Sequence, residues 1–270
     1  VLVLRHHGKT HDPIVLAGTA YWQPIVDAWK SAAQRNGADL LAGMLDDVLV
    51  TDDPEAAMGF IEHADNVRSF EEEPHDLYKT MAREIRLARH VATTNAPAVA
   101  ILGGNKLADL DPARTIVDEV ARRVSDDGGA LRVGEEGPVA MSIAKSVKHA
   151  SDVQRVLWDP SSSSSSNAKR AARFTERVPH KEAFLRNASA YVVLPDADRG
   201  KDELCTVLCQ IQTAKIERRP IVLVDSAYWR PIMESWRTQM IGDQHAYIAP
   251  EDMDLVTYAD SADDVMRALA

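Results

Sequence analysis

The sequence predicts an α/β protein with a Rossmann-like parallel sheet and helices on both of its faces. Short runs rich in β-branched residues alternate with stretches whose apolar residues recur at helical spacing, which is typical of βαβ units. A hydrophobic fraction of 45% and a charged fraction of 27% in 270 residues supply enough apolar surface for a large core. In sheets of this kind the crossovers are right-handed, and ligands bind at the carboxyl ends of the strands.

The predicted elements follow one another along residues 92–270. Six runs indicate strands: Val99–Gly103, Ala130–Val133, Arg155–Trp158, Tyr191–Pro195, Ile221–Asp225 and Leu255–Tyr258. Residues Ala113–Val124 carry apolar side chains on one helical face and predict the helix after the first strand. Two further helices are expected to begin near Val139 and Leu204.

Two segments interrupt this alternation. Residues 76–91 have apolar residues at helical spacing and predict a linking helix after a Glu-rich boundary at Asp65–His75. The run Ser161–Ser166 cannot bury apolar surface, so we expect a mobile loop there.

Charge and cysteine content exclude several classes of function. There are 31 Lys and Arg residues against 41 Asp and Glu residues, and the net charge of −10 argues against binding to nucleic acid or to an anionic membrane. Two cysteines, Cys205 and Cys209, are too few for a disulfide framework, so the expected compartment is the cytoplasm. No apolar run approaches the roughly 18 residues of a membrane span.

An internal tandem repeat with a spacing of 207 residues organises the chain. Residues 13–29 and 220–236 are identical at ten of 17 positions, and the same spacing pairs Asp53 with Asp260. Self-similarity of this kind predicts two copies of one domain.

The repeat leads to a prediction of the domain organisation. We expect residues 1–70 to be the C-terminal half of a first domain, with its front half upstream of Val1. Residues 71–91 are expected to form a linker helix, and residues 92–270 a complete second domain. The two copies are then expected to pack as an intrachain pseudo-dimer.

Glycines follow the first two predicted strands, where a bare backbone can approach a ligand closely. Gly103, Gly104 and Asn105 follow the first strand, and Gly134 and Gly137 follow the second. These residues are candidate nucleotide-binding positions.

A polar segment follows the fourth predicted strand. It runs from Pro195 through Gly200 to Glu203, and the pair His180-Lys181 stands just before the strand. A carboxylate in the first turn of a helix, like that of Glu203, suits either catalysis or the helix dipole, and both readings stay open.

At these residues the chain resembles the LONELY GUY (LOG) family, Rossmann-like nucleoside 5′-monophosphate phosphoribohydrolases once labelled lysine decarboxylases. The family signature is a P-G-G-x-G-T-x-x-E loop after the fourth strand, preceded by an R-K pair on a helix. Pro195 and Glu203 match its proline and glutamate, and Lys181 matches its lysine. The resemblance implies a hydrolase that cleaves a nucleoside monophosphate to free base and ribose 5-phosphate, without a metal or an organic cofactor. It also implies a homo-oligomer.

The sequence departs from that signature where a phosphate would bind. Asp196, Ala197 and Arg199 replace the three glycines, Gly200 replaces the threonine, and His180 replaces the arginine. A phosphate cradle needs bare backbone N–H groups and no negative charge nearby. The carboxylates expected around this one are those of Asp196, Asp198, Glu135 and Glu136.

We therefore expect a nucleotide-binding protein whose visible site is impaired. By resemblance the catalytic candidates are Glu203, His180 and Lys181, and Glu203 would stabilise an oxocarbenium-like transition state. The nucleotide-binding candidates are Gly103, Gly104, Asn105, Gly134, Gly137, Pro195 and Gly200. Two alternatives remain, a non-catalytic nucleotide sensor and a structural pseudoenzyme that serves as a scaffold.

Overall fold

A computed structural model describes residues 13–35, 45, 48–65, 76–94, 96–104, 107, 111–134, 137–160, 166–168, 171–196, 199–241 and 246–270. The strands are β1 (Ile14–Ala17), β2 (Val48–Thr51), β3 (Ala98–Leu102), β4 (Leu131–Val133), β5 (Val153–Trp158), β6 (Ser166–Ala168), β7 (Ala171–Phe174), β8 (Ala188–Val193), β9 (Ile221–Val224) and β10 (Val256–Ala259). The α-helices are α1 (Thr19–Arg35), α2 (Pro54–Asp65), α3 (Asp76–Thr94), α4 (Pro112–Asp126), α5 (Pro138–Ser146), α6 (Arg177–Leu185), α7 (Arg199–Gln212), α8 (Ser226–Met240) and α9 (Ala262–Leu269). Short 3₁₀ turns cover Ala150–Asp152 and Pro250–Leu255.

The chain divides into two compact units. The first takes Val1–Glu73 together with Arg230–Met253, and the second takes Pro74–Trp229 together with Asp254–Ala270. Whether they correspond to a partial and a complete copy of one domain stays a prediction.

The second unit is built on an eight-stranded sheet in the order β10-β9-β8-β3-β4-β5-β7-β6. Seven of these strands run parallel, and β6 at one edge is antiparallel to β7. The predicted α/β class with a Rossmann-like parallel sheet is therefore confirmed.

The edge strand β6 and its neighbour β7 were not predicted. Ser166 lies in β6, paired with Arg173, so the expectation of a mobile loop was wrong at that residue. Pairing in a β-sheet hydrogen-bonds the backbone N–H and C=O groups whatever the side chains are, so a run of serines does not exclude a strand. Residues 161–165 lie outside the described residues.

The core of the second unit lies against both faces of the central strands. Every residue of β3 and β9 is buried, as expected for parallel strands covered by helices on both sides. On one face Val117, Val120 and Ala121 of α4 are completely buried, as their helical spacing predicted.

Helix α3 extends the predicted linking helix by three residues, to Thr94. It lies in the second unit and packs against α6, where Glu84 is completely buried. The carboxylate of Glu84 accepts hydrogen bonds from Thr175 N at 2.9 Å, Thr175 Oγ1 at 2.6 Å and Glu176 N at 2.9 Å. Glu84 thereby fixes the chain where it enters α6.

The first unit contains a parallel pair, β1 and β2, joined through α1. Ile14 pairs with Val48, just as Ile221 pairs with Val256 in the second unit. The partners are 34 residues apart in the first pair and 35 in the second, so the repeat spacing grows from 207 to 208 along the motif.

This extra residue corrects one of the sequence pairings. Asp52, and not Asp53, accepts hydrogen bonds from the first backbone amide of α1, Thr19 N, at 3.0 and 3.2 Å. Asp260 accepts in the same way from Ser226 N at 2.7 Å at the start of α8.

No helix among the described residues is long and apolar enough to cross a bilayer.

Candidate functional site

The candidate site lies at the carboxyl ends of β3 and β4, where parallel sheets bind ligands. Gly103 follows β3 and Gly134 follows β4, and both line a small cavity together with Glu203 from α7. The cavity measures about 20 Å³, which is room for about one water molecule.

Gly103 allows β3 and α7 to approach closely. Its φ is +75°, in the left-handed region, and a Cβ there would lie 2.9 Å from Cβ of Asp196 and 3.1 Å from Cα of Gly200. Since only glycine combines that φ with that space, packing alone accounts for Gly103 and Gly200. Gly104 has a φ of +85° and lies against Leu194 in the same way.

Asp196 brings a carboxylate onto the first turn of α7. The residue is 5% exposed, and its Oδ2 accepts a hydrogen bond from Gly200 N at 3.3 Å. A helix N-terminus favours negative charge, so this carboxylate occupies the position that suits a bound anion. Lys201 Nζ and the Tyr228 hydroxyl both donate to the Asp196 carbonyl, which holds the turn in place.

Arg177 is the central cation of the site, and sequence reasoning missed it. Its Nη2 donates to Glu203 Oε1 at 3.1 Å and to Asp202 Oδ2 at 3.0 Å. Its guanidinium lies over the ring of Trp158, 4.9 Å from the ring centroid. The side chains of Arg177 and Glu203 are only 6% and 3% exposed, so they form a buried ion pair.

His180, a catalytic candidate, is completely buried and does not line the cavity. Its Nε2 lies 2.9 Å from Val156 O and 3.2 Å from Gly134 O, and since carbonyls only accept, Nε2 carries the proton. Its Nδ1 then accepts from Arg177 Nη1 at 3.2 Å. Burial, together with the charge of Arg177, lowers the pKa of His180 well below its usual value. The imidazole is therefore a neutral group that orients Arg177.

The spacing of Arg177 and His180 contained the signal that would have found the arginine. They are three residues apart on α6, so they stand on one face of the helix. Arg177 therefore places a guanidinium one turn before His180, the position at which the family signature has its arginine.

Lys181, the second basic candidate, reaches α7. Its Nζ lies 2.6 Å from Asp202 Oδ1 and donates to Thr206 Oγ1 at 2.9 Å. Burial would raise the pKa of Asp202, but the charges of Lys181 and Arg177 outweigh burial and lower it below its usual value. Lys181 and Arg177 thus bind one carboxylate between α6 and α7.

The remaining candidates have packing roles or lie outside the described residues. Gly134 supplies a carbonyl to His180, and a Cβ on it would lie 3.0 Å from the ring of Phe184. Gly137 precedes Pro138 at the start of α5, and Pro195 is buried after β8. Asn105, Glu135, Glu136, Ala197 and Asp198 lie outside the described residues.

Within the described ranges, no three His, Cys, Asp or Glu side chains are grouped so that they could hold a metal ion. Cys205 and Cys209 are exposed on α7. The charged groups Arg177, Lys181, Asp202 and Glu203 form a network of ion pairs between α6 and α7.

The comparisons agree with this architecture. A family model described as "Possible lysine decarboxylase" matches residues 129–269, which is more than half of the chain. A search of curated proteins found no match. The match runs from just before β4 through α9 and includes α6, α7 and the turn between Asp196 and Gly200. The chain therefore belongs to the LOG family, whose family model carries the name possible lysine decarboxylase.

Proposed function

We propose that this protein is a member of the nucleotide-binding LOG family whose second unit binds a nucleotide phosphate poorly and has lost the phosphoribohydrolase reaction of the family. The observation that carries the proposal is the carboxylate of Asp196 on the Gly200 amide. In the ancestral reaction a nucleoside 5′-monophosphate is hydrolysed to free base and ribose 5-phosphate, and the phosphate must be held at such a turn.

The charge of Asp196 opposes a phosphate at this turn. Two like unit charges about 4 Å apart repel by about 4 kcal/mol at an effective dielectric constant of 20. Since about 1.4 kcal/mol corresponds to a factor of ten, the affinity for a phosphate monoanion falls by about a thousandfold.

The state of Glu203 supports the same conclusion. A carboxylate that stabilises an oxocarbenium-like centre must face the sugar. The Glu203 carboxylate is paired with Arg177 at 3.1 Å, and the cavity that Glu203 lines measures about 20 Å³, far smaller than the roughly 300 Å³ of a small ligand site.

Incubation with AMP, followed by chromatographic detection of free adenine, tests the proposal. We expect the wild-type chain to release no adenine above the buffer rate. Asp196→Asn keeps the shape of the side chain and removes its charge, so inorganic phosphate and AMP should bind it more tightly, by up to about a thousandfold. Adenine release by the wild type that disappears in Glu203→Gln would refute the proposal.

A structural pseudoenzyme that acts as a scaffold is the second candidate. The small cavity favours it, because the site as described has no room for a nucleobase. A thermal-shift screen with nucleoside monophosphates separates this role from a nucleotide sensor. A ligand at about 100 times its Kd stabilises a protein by about 2.7 kcal/mol, so a sensor responds clearly and a scaffold does not.

A further inference from the structure

A tryptophan stands at the carboxyl end of β5, and its ring is held in one orientation. Trp158 is the last residue of that strand and is 6% exposed. Its indole Nε1 donates a hydrogen bond to Thr175 O at 3.0 Å. Strand β5 pairs in parallel with β4, so Trp158 lies at the same edge of the sheet as Gly134. An aromatic ring is thereby placed at the edge where parallel sheets bind ligands.

Two guanidinium groups lie over this indole. Arg177 Cζ is 4.9 Å from the ring centroid, and Arg199 Cζ is 5.0 Å from it. Both distances are within the roughly 6 Å of a cation–π contact. The ring of Trp158 is therefore covered by two cations that come from different helices, α6 and α7.

The two arginines differ in how they are placed. The side chain of Arg177 is 6% exposed and forms ion pairs with Asp202 and Glu203. Arg199 is half-buried and is the first residue of α7. It stands at the third glycine of the family signature, where a chain that keeps the signature has no side chain. The side chain that covers Trp158 from α7 is therefore a feature of this chain.

A nucleobase is a stronger partner for an indole than an exposed guanidinium. An exposed cation–π contact contributes a factor of about two to five to an affinity, whereas the stacking of a base on an aromatic ring contributes about five- to 150-fold. A flat, uncharged ring can therefore displace the Arg199 guanidinium from Trp158.

The charges around Trp158 restrict which ring fits. Two carboxylates hold Arg177 over the indole, and its charge disfavours a cationic ring there. The carboxylate of Asp196 repels a phosphate at the turn that precedes Arg199. A neutral base that carries no phosphate satisfies both restrictions.

We propose that Trp158 is a stacking site for a neutral purine base, and that Arg199 covers this site until the base displaces it. The base takes the place of the Arg199 guanidinium on the indole, so it needs no room in the cavity of about 20 Å³ that Glu203 lines. The choice of a nucleobase rests on the proposed function above, because it comes from the reaction of the family. The stacking itself rests on the contacts of Trp158.

Titration with adenine, followed by ¹H–¹⁵N NMR of the chain labelled at its five tryptophans, tests the site. Trp158→Phe removes one indole signal and thereby assigns it. We expect adenine at millimolar concentration to shift the Trp158 signal of the wild type. Arg199→Ala should bind adenine about two to five times more tightly, because the guanidinium that adenine must displace is gone. Arg122→Ala removes an exposed arginine of α4 and is the matched control, with unchanged affinity.

Ribose 5-phosphate separates this inference from the proposed function. It carries the sugar phosphate without a base, so it should leave the Trp158 signal in place in the wild type and in Arg199→Ala. Binding of ribose 5-phosphate by the wild type would contradict the proposed loss of phosphate binding, while the adenine titration would still decide whether Trp158 stacks a base.

Three results with adenine would overturn the stacking site. One is a Trp158 signal that does not move in Arg199→Ala. Another is an affinity of Arg199→Ala equal to or below that of the wild type, since Arg199 would then not cover the ring. A third is a shift in Arg199→Ala with none in the wild type at the same concentrations, which would show that adenine does not displace the guanidinium.

Discussion

Replacing Arg177 with methionine would remove the cation of the site while keeping much of its volume. The side chain of Glu203, which is 3% exposed, would lose the guanidinium that lies 3.1 Å from its Oε1. His180 Nδ1 would lose the donor that lies 3.2 Å away. The change therefore leaves one buried charge and one buried acceptor without the partner that each has in the wild type.

Breaking a buried ion pair from one side typically costs about 3–5 kcal/mol. In a protein of this size about 1 kcal/mol corresponds to a shift in Tm of about 2–4 °C, so Arg177→Met should lower Tm by roughly 6–20 °C. Urea unfolding, followed by far-UV circular dichroism, gives the free energy of unfolding directly.

Two further variants make the result specific. Arg122 is 51% exposed in its pairs with Glu119 and Asp126, and Arg122→Met should cost less than about 1 kcal/mol. Adding Glu203→Gln to Arg177→Met removes the buried charge and should recover most of the loss. If Arg177→Met costs no more than Arg122→Met, or if the double variant recovers nothing, the buried pair is not what holds α6 to α7.

Other perturbations test the packing and the charges of the same site. Gly103→Ala should lower the free energy of unfolding in urea by about 1–3 kcal/mol, because Gly103 has a positive φ and an added Cβ would lie 2.9 Å from Asp196. Gly59→Ala is the control: an added Cβ there has no atom within 4 Å, so the change should be neutral or slightly stabilising. Asp202 has a pKa below its usual 3.8, so its stabilisation should be complete above pH 3.8 and disappear as the pH falls through its folded pKa; Asp202→Asn should flatten the pH dependence of unfolding in that range. His180 should remain neutral, with its proton on Nε2, between pH 5 and 8. The measurement is the pH dependence of the imidazole ¹⁵N chemical shifts by NMR, and a titration within that range would contradict the expectation.

The strands of the second unit could be predicted because each is a local pattern. The runs at β3 and β9 are apolar and β-branched over their whole length, and the structure places both in the buried centre of the sheet. Strands β6 (Ser166–Ala168) and β7 (Ala171–Phe174) could not be predicted because neither contains a β-branched apolar run.

The candidate site was predictable in its position but not in its connections. The sequence placed Glu203 and Gly103 at the carboxyl edge of the sheet, and the structure brings both to the same cavity. It also indicated His180 and Lys181 as catalytic candidates beside Glu203, whereas the cation that meets Glu203 is Arg177. Arg177 and His180 share one face of α6, and contacts with other elements decide which of them meets Glu203: the Arg177 guanidinium lies over the Trp158 ring, whereas His180 donates to the Val156 carbonyl.

Hydrophobic periodicity and the order of short motifs determined the α/β class, the parallel sheet and membership of the LOG family, because these signals lie within a few residues of one another along the chain. Only tertiary structure decided that Arg177 pairs with Glu203 and that Asp196 turns its carboxylate onto the Gly200 amide. The energies of burial and of charge pairing depend on distances between separate segments, and those distances exist only once the segments have come together.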